Sequence, residues 1–197
     1  MKSLLFCRRD RLAALRWCWV MIAASGWAHA GESEALHLLS QPGHVLLLRH
    51  ANAPGVGDPA GFILHDCTTQ RNLDGRGRAQ ATALGARLRA AGLSNVDVYT
   101  SQWCRCRETA TLLKLGDVHE LPALNSFFDQ PETKAERLRT LRVFIDKLPR
   151  DARPVILVTH QLTITALTGD FPASGEGTIL KLKAGGGFDP VGTLANN

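Results

Sequence analysis

Two arginines and two histidines, Arg49, His50, Arg105 and His160, are the residues of this sequence best suited to chemistry as a group. A guanidinium is a planar, permanently charged fork that binds phosphate oxygens in pairs. A neutral imidazole nitrogen can attack phosphorus and carry the phosphoryl group as a phosphohistidine. Guanidinium charge nearby disfavours the imidazolium and keeps that nucleophile neutral. A second imidazole, when protonated, can stabilise the equatorial oxygens of the transition state. Such a set needs no metal and no cofactor.

These residues lie far apart in sequence, so the fold must bring them together. Val45-Leu46-Leu47-Leu48 is an unbroken apolar run that ends in Arg49-His50, after which Pro54, Gly55, Gly57 and Pro59 enforce a loop. Val155-Ile156-Leu157-Val158-Thr159-His160 repeats the pattern. Both read as strands buried on two faces. A third short strand over residues 95–101 ends at Ser101, four residues before Arg105. In an open parallel sheet the carboxyl ends of the strands form the ligand-binding edge. Helices are expected over residues 75–91, 105–115, 132–148 and 162–168, the first capped by Asp74 and stopped by Gly92. Further strands are expected over 118–121 and 178–183, and the Gly-rich tail from Gly185 reads as frayed. Strands alternating with helices predict an α/β fold, a three-layer α/β/α sandwich with a mostly parallel central sheet. Residues 51–73 form a long loop, and loops of that length are usually functional or disordered; its polar segment, which holds Cys67 and Arg71, reads as a wall of the site.

With the motifs in place, the sequence resembles the histidine phosphatase superfamily, the phosphoglycerate mutase-like family. Leu48-Arg49-His50-Ala51 is similar to its Arg-His-Gly signature, with Ala51 in place of glycine. Ser101 through Arg105 to Thr109-Ala110 matches its Ser-x-x-x-Arg-x-x-x-Thr-Ala signature, and Val158-Thr159-His160 its late strand ending in histidine. Asn72-Leu73-Asp74-Gly75 with Ala79-Gln80 is similar to the start of its first helix. The likeness spans residues 44–183. It implies a phosphoglycerate mutase-like fold, His50 as the nucleophile, and Arg49, Arg105 and His160 as the phosphate pocket. Asn52, Arg71, Ser101 and Gln161 are the candidate substrate-binding residues. Asn52 stands where many members carry an acid, and Gln161 replaces a usual glycine. For the proton donor the candidate is Asp129, on the premise that Phe127-Phe128 bury it and raise its pKa. Glu132 is a candidate beside it, with Asp66 and Glu176 behind them.

Composition bounds the partners. Of 23 basic and 18 acidic side chains, residues 1–30 hold five and one, which leaves 18 and 17 in residues 31–197. The basic character belongs to the leader, so no nucleic-acid partner is inferred. The leader has basic residues, then an apolar run over residues 17–24, then Ala28-His29-Ala30. It reads as a signal peptide over residues 1–30, followed by one phosphatase-like domain over 31–197. The run is shorter than the ~20 residues a membrane span needs, so no stable membrane anchor is expected. Arg8-Arg9 hints at twin-arginine export, but Arg11 stands where an apolar residue is usual. Export places the protein in the periplasm or outside the cell, where disulfides persist. Cys67, Cys104 and Cys106 are the candidates. Cys104 and Cys106 are too close for an easy mutual bridge, so Cys67 pairs with one of them.

The function expected from this reading is an exported phosphatase acting on a small phosphorylated substrate. A weakly catalytic phosphate- or phosphosugar-binding module on the same scaffold is the alternative. A phosphomutase is a third reading, disfavoured by export because its substrates are mostly cytosolic.

Overall fold

A computed structural model describes residues 23–196, with side chains from Gly31 onward. Most of the expected leader, residues 1–22, lies outside the described residues. The first element, α1 (Ala23–Leu39), runs through the Ala30–Gly31 junction and buries Ala35 and Leu39. Glu32 pairs with Arg87 of the next helix.

The remaining elements alternate as anticipated: β1 (His44–Arg49), α2 (Gly75–Ala90), β2 (Val98–Thr100), α3 (Cys104–Leu113), β3 (Val118–Glu120), α4 (Lys134–Lys147), β4 (Val155–Thr159), α5 (Gln161–Thr168), β5 (Gly177–Leu182) and β6 (Phe188–Leu194). The six strands form one sheet in the order β3-β2-β4-β1-β5-β6. The pairs β1–β4, β2–β4 and β2–β3 are parallel, while β5 pairs antiparallel with β1 and β6 with β5. The sheet is therefore parallel where β1, β2 and β4 lie side by side.

The apolar runs bury both sheet faces because successive strand residues point to opposite sides. Leu46, Leu48, Ile156 and Val158 pack with Leu39, Leu84, Leu88 and Leu113, so α1, α2 and α3 cover one face. Val45, Leu47, Val155 and Leu157 pack with Leu141, Ile145, Ile164 and Leu167, so α4 and α5 cover the other. This is the three-layer α/β/α arrangement.

The tail corrects one expectation. Residues 188–194 are not frayed but form β6, which closes the sheet edge. Pro190 is tolerated there because an edge strand need not donate on both sides, and a register irregularity falls at Ile179/Leu180.

The amino end of α2 is fixed to the loop after β1. Asp74 accepts from the Gly77 amide at 2.7 Å. A side chain at Gly77 would come within 2.0 Å of the Asn52 carbonyl oxygen, so only glycine permits this approach.

Candidate active site

Because β1, β2 and β4 run parallel, their carboxyl ends meet at one sheet edge. There β1 delivers Arg49 and His50, β2 leads through Ser101 into Arg105 of α3, and β4 delivers His160. The His50 amide donates to the Thr159 carbonyl at 3.0 Å, which holds the end of β1 beside that of β4. The two imidazole rings stand edge to face with centroids 5.6 Å apart. They lie on a cavity of about 180 Å³ whose wall includes Arg49, His50, Asp58, Arg71, Arg105 and His160.

His50 is a buried, neutral imidazole with one ring nitrogen free. Its Nδ1 lies 2.8 Å from the Ala51 carbonyl oxygen, which can only accept, so Nδ1 carries the proton and Nε2 keeps its lone pair. Burial, then the charge of Arg105, pushes its pKa down to about 3. The Ala51 methyl does not crowd this centre. It packs with Ala53, Leu73 and Ala81, and the Ala51 amide donates to Thr109 Oγ1.

The guanidinium groups are held from behind. Arg49 donates through Nη1 to the Pro172 carbonyl at 2.9 Å. Arg105 donates through Nη1 to both oxygens of Asp58, at 2.8 and 3.1 Å. In each, Nε is buried and has no protein partner, as does Nε2 of Gln161, which also lines the cavity. Buried donors of this kind call for an acceptor. Arg71 donates to the carbonyls of Gly57 and Ala53 and fixes the loop that walls the cavity.

His160 is buried, and desolvation followed by the charge of Arg105 lowers its pKa well below the ordinary value. Its Nε2 lies 2.9 Å from Ser101 Oγ. Asn125 sets the proton pattern: Nδ2 donates to Gln102 Oε1, so Oδ1 faces the Gln102 amide and the Ser101 hydroxyl. Ser101 donates to that Oδ1 and accepts from His160 Nε2–H, and Nδ1 of His160 is left as the nitrogen that can gain a proton.

Several residues chosen from sequence sit differently from expectation. Ser101 is fully buried behind His160 rather than on the cavity. Asn52 lies off the cavity wall; its amide donates to Gln80 Oε1 and its side chain to Asp74, so it ties the first motif to α2. Asp129 is at the cavity mouth, but the enclosure expected for it is missing: Phe127 is buried while Phe128 is 52% exposed and Asp129 itself is exposed. Asp66 is turned to its own turn at Thr68, and Glu176 accepts from the Ala173 amide. Neither they nor Glu132 line the cavity.

The disulfide joins Cys67 to Cys104, with Cα atoms 5.7 Å apart, and Cys106 is a buried free thiol. The bridge fastens the long loop to the start of α3, one residue before Arg105. Burial pushes the Cys106 thiol up to about 12, which rules it out as a resting thiolate.

Sequence reasoning missed Asp58. Besides Arg105 it accepts from the Arg71 amide at 3.0 Å and Trp103 Nε1 at 3.0 Å. These donors, the Arg105 side chain first, outweigh its desolvation and hold it below the usual carboxylate range. Asp58 stands in Gly-Asp-Pro, which reads as an ordinary turn, and its partner is 47 residues away. Asn125 gives no local signal either.

Residues 45–128 match the histidine phosphatase superfamily (branch 1). No curated protein matches the chain. Among solved structures it is similar to the protein histidine phosphatase SixA complexed with tungstate, with 17% identity, a TM-score of 0.52, and coverage of 78% of this chain and 97% of that one. It is likewise similar to a mycobacterial glucosyl-3-phosphoglycerate phosphatase in complex with VO3, with 17% identity, a TM-score of 0.54, and coverage of 78% and 98%. At these identities the likeness carries the fold.

Proposed function

We propose that this chain, a member of the histidine phosphatase superfamily, hydrolyses a phosphomonoester by way of a phosphoryl group on His50. The observation that carries the reading is the state of His50: a buried imidazole, neutral, with Nδ1 held by a carbonyl and Nε2 free. It sits among guanidinium groups with buried, unpaired N–H donors.

In the first step the phosphate oxygens take hydrogen bonds from Arg49 and Arg105, and His50 Nε2 attacks phosphorus. The bond to the leaving oxygen breaks as the bond to nitrogen forms, and the leaving alkoxide takes its proton from water at the open mouth of the cavity. His160 takes up a proton on Nδ1 as the dianion enters and lends charge to the equatorial oxygens. Water then attacks the phosphohistidine, and the N–P bond breaks to return neutral His50 and inorganic phosphate. The arginines and imidazoles supply all the charge the steps use, without a metal. The tungstate and VO3 bound to the two similar phosphatases are phosphoryl mimics, which supports this assignment. Hydrolysis of an aryl phosphate across pH, beside His50→Ala, is the test. Turnover by the wild type and none by the variant is expected; equal turnover removes the mechanism.

The sequence of residues 1–30 supports export to the periplasm or beyond, with the mature chain starting near Gly31. Mass spectrometry of the protein recovered outside the cytoplasm reads the amino terminus directly. An exported chain that still carries residues 1–30 overturns the cleavage.

A further inference from the structure

We infer that the preferred substrate is a phosphomonoester whose leaving group is apolar, a reading that rests on the phosphatase assignment above and specifies its substrate class. The cavity is polar at its floor and apolar at its mouth. The floor carries His50 and the arginines. The mouth carries Val56, Phe128 and Leu162, which are 88%, 52% and 37% exposed. Eight large apolar side chains are exposed among the described residues, and three of them converge here from three separate segments. Scattered exposed apolar residues need no explanation, but a cluster at the entrance of a binding cavity does.

The arrangement is built. Val56 is flanked by Gly55 and Gly57 with φ of 95° and 69°, a left-handed pair that forms the loop tip presenting it. Phe128 Cε1 lies 3.4 Å from where a Cβ at Gly57 would stand, so the ring rests against that bare backbone. Leu162 is in the first turn of α5, two residues after His160.

Charge at the mouth points the same way. Arg49, Arg71 and Arg105 are each bound to backbone carbonyls or Asp58 within the wall. The charged side chain of the rim is Asp129, an acid. A second phosphate or a carboxylate on the leaving group meets the repulsion of Asp129 at the rim. The Ser126 hydroxyl at the same mouth already accepts from the Phe128 amide. A polyhydroxylated leaving group finds polar partners there at Asp129 and Gln161, and its remaining hydroxyls lose water against apolar side chains, which is costly, whereas an alkyl or aryl group covers the three apolar side chains.

The test compares hexyl phosphate with glucose 6-phosphate. Both release a primary alcohol, so leaving-group basicity does not separate them. We expect kcat/KM for hexyl phosphate to be higher by roughly tenfold or more, carried mainly by KM, the scale on which apolar pockets discriminate. In Phe128→Ser/Leu162→Ser the ratio of the two kcat/KM values should fall toward one. Equal or reversed preference in the wild type, with both esters hydrolysed, overturns this inference and leaves the phosphatase standing. A ratio unchanged in the double variant also overturns it. No hydrolysis of either ester or of any aryl phosphate removes the phosphatase reading itself.

Discussion

Arg105 and Asp58 form a buried pair: the Nη1 of one lies 2.8 and 3.1 Å from the two oxygens of the other, and the side chains are 4% and 2% exposed. Asp58 thereby neutralises one arginine of the site and fixes its direction while Arg105 Nε stays unpaired. The pair also joins the long loop to α3, whose start the Cys67–Cys104 bridge ties to the same loop. Asp58→Ala strips a buried cation of its partner, which costs about 3 kcal/mol or more. Urea unfolding should show that loss. Turnover should fall by on the order of 10²-fold because Arg105 is no longer aimed. Unchanged stability and turnover contradict this role.

What was legible in the sequence follows from how local each signal is. The strands ending in His50 and His160 were readable because a continuous apolar run that breaks into polar residues and a turn is a local pattern. The capped start of α2 was readable for the same reason. Asp58, Asn125 and the partner of Ser101 were not, because their meaning lies in contacts between distant segments, such as Ser101 with His160, 59 residues apart. Strand β6 escaped because Gly192 and Pro190 break the usual strand pattern, and pairing with β5 supplies the order that local propensity does not. The pairing of Cys67 with Cys104 rather than Cys106 is set by α3, which turns Cys106 into the core.

The pH dependence of stability has a definite sign. An unfolded histidine gains its proton near a pKa of about 6.5, whereas folded His50 does so at about 3, and the His160 shift has the same direction. Between those values the unfolded chain binds more protons. Stability is therefore complete above the unfolded pKa and is lost as pH falls toward the folded one. The urea midpoint should drop as pH is lowered from about 7 to about 4, and His50→Asn should reduce the slope. A slope that is flat or inverted contradicts the buried, neutral state.

Ser101 acts through His160. Ser101→Ala removes the acceptor for His160 Nε2–H and leaves Asn125 Oδ1 without the hydroxyl. The kcat should fall by roughly tenfold to a hundredfold with little change in KM, because a slightly misplaced group is costly in the transition state. The pH profile of kcat should move as well, since the proton pattern on His160 is no longer set. A pure KM effect with an unmoved profile points instead to substrate contact.

The bridge gives a thiol count. A chain of residues 31–197, unfolded without reductant, should expose one thiol, Cys106. In the folded protein that thiol should resist alkylation, because it is buried with its pKa pushed up to about 12. Reduction should lower stability by about 2–4 kcal/mol, the usual worth of such a loop closure. Three reactive thiols in the unreduced, unfolded chain contradict the pairing.

The phosphoryl group on His50 is the centre of the account, and trapping it is the direct measurement. The enzyme is mixed with labelled phosphomonoester, quenched without acid, digested and mapped. The label should sit on the peptide that holds His50, survive base and disappear in acid, as expected of a nitrogen–phosphorus bond. It should be absent from His50→Ala. Label on Ser101 or Cys106, or full turnover by His50→Ala, contradicts the account.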